Sequence, residues 1–230
     1  IINEVVEVSG TREAEMVKLI ENTYRQVNIA MVNELAILSN MLNIDIWEVV
    51  DAAKTKPFGF QSFRPGPGVG GHCIPIDPKY LSFKTRQIGQ PVRFVELAQE
   101  INNSMPNYVI SRISELMNKK EILLKNSRIL ILGVAYKKDI GDTRESPAID
   151  IIESLLDKSV EVSFYDPHVD ELIVNKKSIF KEQDLESISN YDMIIIHTPH
   201  TSFSNIDFEN IKSLIFDTTG SFTISNAERI

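Results

Sequence analysis

The chain has 230 residues, enough for one large or two small domains with proper cores. Its 24 Lys and Arg against 32 Asp and Glu give a formal net charge of −8. That balance argues against general nucleic-acid binding by phosphate neutralisation, but it leaves room for a local basic pocket able to hold a diphosphate. The opening IINEVVEVSG has neither the basic flank nor the apolar core of a signal peptide, and no apolar run reaches about 18 residues, so no membrane partner and a cytoplasmic location are expected. The sequence lacks an initial Met and is expected to begin inside a longer protein. A single Cys excludes an internal disulfide.

From Thr11 to Asn43, Met16, Leu19, Ile20, Tyr24, Val27, Met31, Leu35 and Leu38 recur at spacings of three and four, which predicts a long helix. Asp45 before IWEVVDAAK predicts an N-cap and a short helix. Lys56 to Pro78 is dense in Gly and Pro and reads as a shaped loop, of a length that is often functional. Helical periodicity returns at Lys79–Ile88 and at Arg93 to about Lys120. Beyond Leu124 the texture changes. SRILILGVAY, VEVSFYDP, YDMIIIHTP and SLIFDTTG read as buried strands, and SPAIDIIESLLDK as a helix capped by Ser146 with Pro147 in its first turn. The fold class is therefore α/β: an all-helical domain over residues 1–122, then a doubly wound, Rossmann-like parallel-sheet domain over 123–230.

Gly66, Gly68 and Gly71 formally spell the G-x-G-x-x-G dinucleotide fingerprint, but no strand precedes them and Pro65, Pro67 and Pro75 break the strand–turn–helix it needs. Those glycines are better suited to close backbone approach to a ligand. Cys73 lies in the same stretch, four residues before Asp77. Backbone amides and a nearby cation favour the nucleophilic thiolate, which sets a reactive Cys73 against the plain alternative of a small buried hydrophobe. His72 is read as a structural or solvent-facing residue with no catalytic role. Lys18 and Asn22, four apart, share one face of the first helix. They are either a snorkelling surface pair or partners for a developing oxyanion. His197 and His200 in HTPH lack a third ligand in sequence, so no metal is assigned.

AEMVKLIENTYRQVNIAMVNELA, GPGVGGHCIPIDPKYL and ILGVAYKKDIGDTRESPA together resemble the UDP-glucose/GDP-mannose dehydrogenase family, and they cover most of the chain. GHCIPIDP is more similar to the branch acting on UDP-N-acetylhexosamines than to the UDP-glucose branch, which carries a Lys where this chain has Ile76. The resemblance implies a central helical domain that forms a homodimer, a C-terminal domain for the UDP-sugar, and an N-terminal NAD-binding domain absent from this chain. It implies a four-electron oxidation of the sugar C6 hydroxyl to a carboxylate with two NAD⁺, supplying precursors of surface polysaccharide.

By the motif match, Cys73 would form a thiohemiacetal and then a thioester. Lys18 and Asn22 would stabilise the oxyanion, and Asp77 would assist proton transfer. Phe63, Gly68, Gly70, Gly71, Tyr136 and Lys137 would contact substrate, and Arg144, with Cys73, the cofactor. Lys138, Asp139 and Asp142 read as a solvated charge cluster. The family often carries an Arg after the last strand where this chain has Thr219 in IFDTTG, which puts substrate affinity in question. Two other readings remain: a nucleotide-sugar binding and dimerisation module without catalysis of its own, and UDP-glucose as substrate.

Overall fold

The computed structural model describes residues 4–185 and 188–230. A helical part comes first, with α1 (Thr11–Met41), α2 (Ile46–Ala53), α3 (Cys73–Gln87) and α4 (Arg93–Lys119). Next come β1 (Arg128–Leu132), α5 (Pro147–Asp157), β2 (Glu161–Tyr165), β3 (Glu171–Val174), β4 (Lys177–Phe180), β5 (Met193–Ile196), β6 (Leu214–Asp217) and β7 (Ala227–Arg229). Five strands form one parallel sheet in the order β2-β1-β5-β6-β7, while β3 and β4 pair as a separate antiparallel hairpin. The α/β class and the four strands read from sequence are all present.

Local chemistry explains the well-read boundaries. The Asp45 carboxylate accepts the N–H groups of Trp47 (2.8 Å) and Glu48 (3.4 Å), capping α2. Ser146 accepts Ala148 N–H at 3.4 Å, with Pro147 at the first helical position of α5, where its missing N–H costs nothing. The sheet alternates with period two: Ile129, Ile131, Met193, Ile195 and Phe216 join the core shared with α1, α2, α4 and α5. Leu130, Leu132, Ile194, Ile196 and Ile215 face a second core.

Two expectations change, and two elements are new. The second sheet face is covered not by α-helices, as double winding implies, but by short 3-10 turns carrying Phe203 and Phe208. The hairpin and β7 had no sequence expectation; the hairpin turn is Asn175–Lys176, both at positive φ, the geometry that matches strand twist. The loop expected to run to Pro78 ends at His72, because Cys73 starts α3. Pro75 falls in the first turn, where a helix has no partner for the N–H in any case, and Pro78 is tolerated further in.

The two parts are packed into one continuous core, and Trp47 of α2 reaches across to the turn after β6. There the position of an added Cβ on Gly220 lies 2.6 Å from the indole. Among the described residues no helix is long and apolar enough to cross a membrane.

His197 follows β5 and is buried, with Nδ1 3.0 Å from Thr198 Oγ1 and no partner for Nε2. Burial pushes its pKa down to about 4, against the opposing pull of Asp166 and the Gly133 carbonyl. A depressed pKa means that the unfolded chain binds the extra proton between its ordinary value and about 4, so stability is full above the ordinary histidine value and is lost as pH falls. Urea unfolding at pH 7 and pH 4 is expected to show a loss of roughly 3 kcal/mol from this group, diminished in His197→Gln. An equal acid loss in that variant would exclude His197 as the source.

Candidate active site

The helix α1 turns its polar row inward. Asn22, Gln26 and Asn33 are buried, whereas Met16, Ile20, Tyr24, Met31, Leu35 and Leu38 of the apolar row are exposed. The buried amides find specific partners. Asn33 Nδ2 donates to Asn102 Oδ1 (3.0 Å), Asn102 Nδ2 to the Gln26 carbonyl (3.2 Å), and Gln26 Nε2 to Gln99 Oε1 (2.9 Å), binding α1 to α4. The remaining Asn33 oxygen accepts the Gly66 N–H at 2.9 Å, so the same row anchors the glycine loop.

Farther along, the loop lies on the sheet domain. Gly68 packs against Pro147 and the Asn102 carbonyl. Gly71 N–H donates to the Arg144 carbonyl at 3.2 Å. A Cβ on Gly70 would come within 2.7 Å of both the Glu145 carbonyl and Tyr136 Cβ, and one on Gly71 (φ +86°) within 2.7 Å of the Tyr136 ring. These glycines admit Tyr136 rather than a cofactor phosphate.

Released from that clamp, the chain enters α3 with Cys73 as its first helical residue, exposed at the positive end of the helix dipole. One turn later, Asp77 Oδ2 accepts Asn22 Nδ2 (2.7 Å) and lies 3.2 Å from Lys18 Nζ. The hydrogen bond and charge of Asp77, with a further contribution from Cys73, raise the Lys18 pKa. Arg25, which sequence reasoning missed, donates to Asn22 Oδ1 at 2.7 Å. An arginine can only donate, so the amide oxygen must face it and the NH₂ must face Asp77. Cys73, Asp77, Lys18 and Asn22 thus form one cluster. Ammonium and amide donors share one carboxylate, and the thiol lies a helical turn before it, with its charge felt at Lys18.

The other expected site residues are less uniform. Phe63 stacks edge-on against Tyr24 (5.8 Å between centroids) and packs on the core. Tyr136 contacts the glycine loop, and Lys137 beside it is exposed. Arg144 is held by Asp142 through Nε (2.9 Å) and Nη2 (2.6 Å), and those bonds hold the Asp142 pKa down to about 2. Asp142 is therefore an ion-pair partner rather than a member of a solvated cluster. Asp139 likewise accepts from Thr201 N–H (2.7 Å) and Oγ1 (2.5 Å), while Lys138 is exposed. Thr219 folds back on its own turn, donating its N–H (2.8 Å) and Oγ1 (2.7 Å) to Asp217.

His197 and His200 do not form a pair. Among the described residues, Asp139, His168 and His200 are grouped closely enough to suggest a cation site, but both His200 nitrogens are already engaged, by Asp139 N–H and Asp166. Nor is a dinucleotide cradle formed at the end of β1. The space beside Gly133 is filled by Thr198, and the Val134 and Ala135 N–H groups are taken by Asp166.

Residues 12–104 match the central-domain model of the UDP-glucose/GDP-mannose dehydrogenase family, and residues 130–225 match that family's UDP binding domain. The chain belongs to the UDP-glucose/GDP-mannose dehydrogenase family. It is 38% identical over 207 residues to the UDP-N-acetyl-D-mannosamine dehydrogenase of Methanocaldococcus jannaschii, covering 90% of this chain and 45% of that protein. To the UDP-N-acetyl-D-glucosamine 6-dehydrogenase of Salmonella typhi it is 41% identical over 200 residues, covering 86% and 46%. The structure of UDP-D-ManNAc dehydrogenase from Pyrococcus horikoshii superposes with a TM-score of 0.85 at 30% identity, over 99% of this chain and 53% of that one. This family member spans about half the length of the curated relatives it matches.

The amide row was readable in principle. Asn22, Gln26 and Asn33 recur at helical spacing opposite the apolar stripe, a polar face too regular for solvent alone. Removing the Asn33 side chain leaves the Gly66 N–H and the Asn102 oxygen without their partner. Asn33→Ala is expected to cost about 2–4 kcal/mol and to speed exchange of the Gly66 amide. An unchanged urea midpoint with a still-protected amide would contradict the anchoring role.

Proposed function

We propose that this chain supplies the thiol and the nucleotide-sugar pocket of an NAD-dependent UDP-sugar 6-dehydrogenase acting on a UDP-N-acetylhexosamine. The observation that carries the reading is the convergence of Cys73, Asp77, Lys18 and Asn22 beneath a glycine loop packed on Tyr136. Cys73 Sγ would add to an aldehyde carbon at sugar C6, forming a C–S bond and a thiohemiacetal. The Lys18 ammonium and the spare Asn22 N–H would face the oxygen on which charge develops. Once that adduct is oxidised to the thioester, water attacks the carbonyl carbon, the C–S bond breaks, and the acid is released with the Cys73 thiol regenerated. Asp77 would take the proton from that water, directly or through a second water.

NAD would supply the hydride acceptor when bound. The end of β1, with its amides taken by Asp166, offers NAD no cradle, and Arg144 is the candidate contact with it. The tie between Arg144 and Asp142 would then have to loosen. Lys137 is assigned to the diphosphate and Tyr136 to the nucleotide. The family model for this region carries the description of a UDP binding domain. The N-acetylated substrate class rests on the printed names of the relatives.

A second copy of the chain is assigned to the exposed apolar row of α1. From Met16 to Leu38 that row is about 33 Å long, too extended to leave against water.

Calorimetric titration of the chain with UDP, UDP-glucose, UDP-N-acetylglucosamine and UDP-N-acetylmannosamine is the test. An N-acetylated sugar is expected to bind at least several-fold more tightly than UDP-glucose. Equal affinities would overturn the branch assignment, and no binding of any would overturn the placement of the pocket in this chain.

A further inference from the structure

The segment carrying Tyr136 and Lys137 is fixed from behind by a buried pair. Asp166, fully buried just after β2, accepts Val134 N–H (2.8 Å) and Ala135 N–H (3.2 Å) on Oδ2, and His168 N–H (2.8 Å) on Oδ1. Its Oδ2 also meets His200 Nε2 at 3.0 Å. His200, equally buried, takes the Asp139 N–H on Nδ1 at 2.9 Å. A backbone amide can only donate, so Nδ1 is the bare nitrogen and Nε2 carries the hydrogen that reaches Asp166. One imidazole tautomer therefore joins the two ends of the segment 134–139: a carboxylate holds the start and the imidazole holds the finish. Burial alone would raise the Asp166 pKa, but the bonds from His200, Val134 and His168 prevail and hold it below the ordinary carboxylate range.

We propose that Asp166 and His200 are positioning residues for nucleotide recognition, fixing the segment 134–139 so that it presents Tyr136 and Lys137 to the diphosphate of the ligand. The inference rests on the assignment of Tyr136 and Lys137 to the nucleotide made above. Neither residue reaches the ligand, since both are buried. Their effect is to pre-order a segment whose tip, Lys137, is exposed, so that binding does not have to order it.

The two halves of the pair are separable. His200→Asn places an amide oxygen where Nδ1 lies and retains the acceptor for Asp139 N–H. His200→Gln places an amide N–H where Nε2 lies and retains the donor to Asp166. His200→Phe keeps the ring volume and provides neither. With UDP as the probe, calorimetry on the full chain is expected to show at least a 10-fold loss of affinity in the Phe variant and partial rescue in Asn and Gln. If packing alone mattered, Phe would remain closest to the original protein, and that order overturns the proposal.

Should the Phe variant fail to fold, the other two still decide. Hydrogen exchange at the Asp139 amide is expected to stay slow in Asn and become fast in Gln, with UDP weakened about threefold or more in both. UDP affinity equal to that of the original protein in both variants overturns the proposal. Lys137→Ala separates the two layers. Undiminished UDP binding in that variant defeats the nucleotide assignment, and this inference with it, whereas a loss there beside normal binding in all His200 variants defeats this inference alone.

Discussion

The buried side chain of Asn33 is the constraint on which the site depends. Its two polar atoms face opposite obligations: one holds α4 through Asn102, and the other holds the glycine loop through Gly66. A buried amide left unpaired costs about 1–3 kcal/mol, so the loop and the helix pair are fixed together or not at all. From that anchor the chain has only the short stretch to Cys73 in which to turn. It does so pressed between Pro147 on one side and Tyr136 on the other. The thiol's place at the head of α3 is thus set by packing between the two parts of the fold rather than by the loop itself.

The chemistry of the cluster follows from shared donors. Asp77 is engaged by Asn22 and Lys18, yet the amide and the ammonium each retain unused hydrogens. They can therefore turn a donor toward a developing oxyanion without abandoning the carboxylate. Arg25 gives this arrangement its direction, because it leaves Asn22 only one sensible orientation. Beneath the nucleotide side, Asp166 and His200 play a comparable part for the β1 segment, and the two supports meet where Gly70 and Gly71 rest on Tyr136.

Much of this was legible in the residues. The strands β1, β5 and β6 show as apolar runs because a parallel sheet buries both faces of its inner strands. The edge strand β2 is only partly buried and shows by its alternating Val162 and Phe164. The caps at Asp45 and Ser146 show because their side chains satisfy open N–H groups. The start of α3 was hidden by Pro75 and Pro78, whose usual meaning is a break. The orientation of α1 was hidden for a different reason: periodicity reports two faces but not which one packs, and here the amide face is inside. The β3–β4 hairpin has exposed Lys and Ser on one strand, too little alternation to announce itself. Cys73, Asp77, Lys18 and Asn22 could be named from the sequence, but their contact across 55 residues between Asn22 and Asp77 depends on the packing of α1 against α3.

The central claim, that a nucleotide sugar lies across Cys73 with its diphosphate on the Lys137 side, is tested most directly by protection of the thiol. The chain would be treated with iodoacetamide and modification of its single Cys followed by intact mass, with and without a UDP-N-acetylhexosamine at a concentration shown to saturate binding. The account predicts that the bound sugar slows alkylation several-fold and that Lys137→Ala abolishes the protection at the same concentration. Alkylation of Cys73 at an unchanged rate in the saturated complex would contradict it.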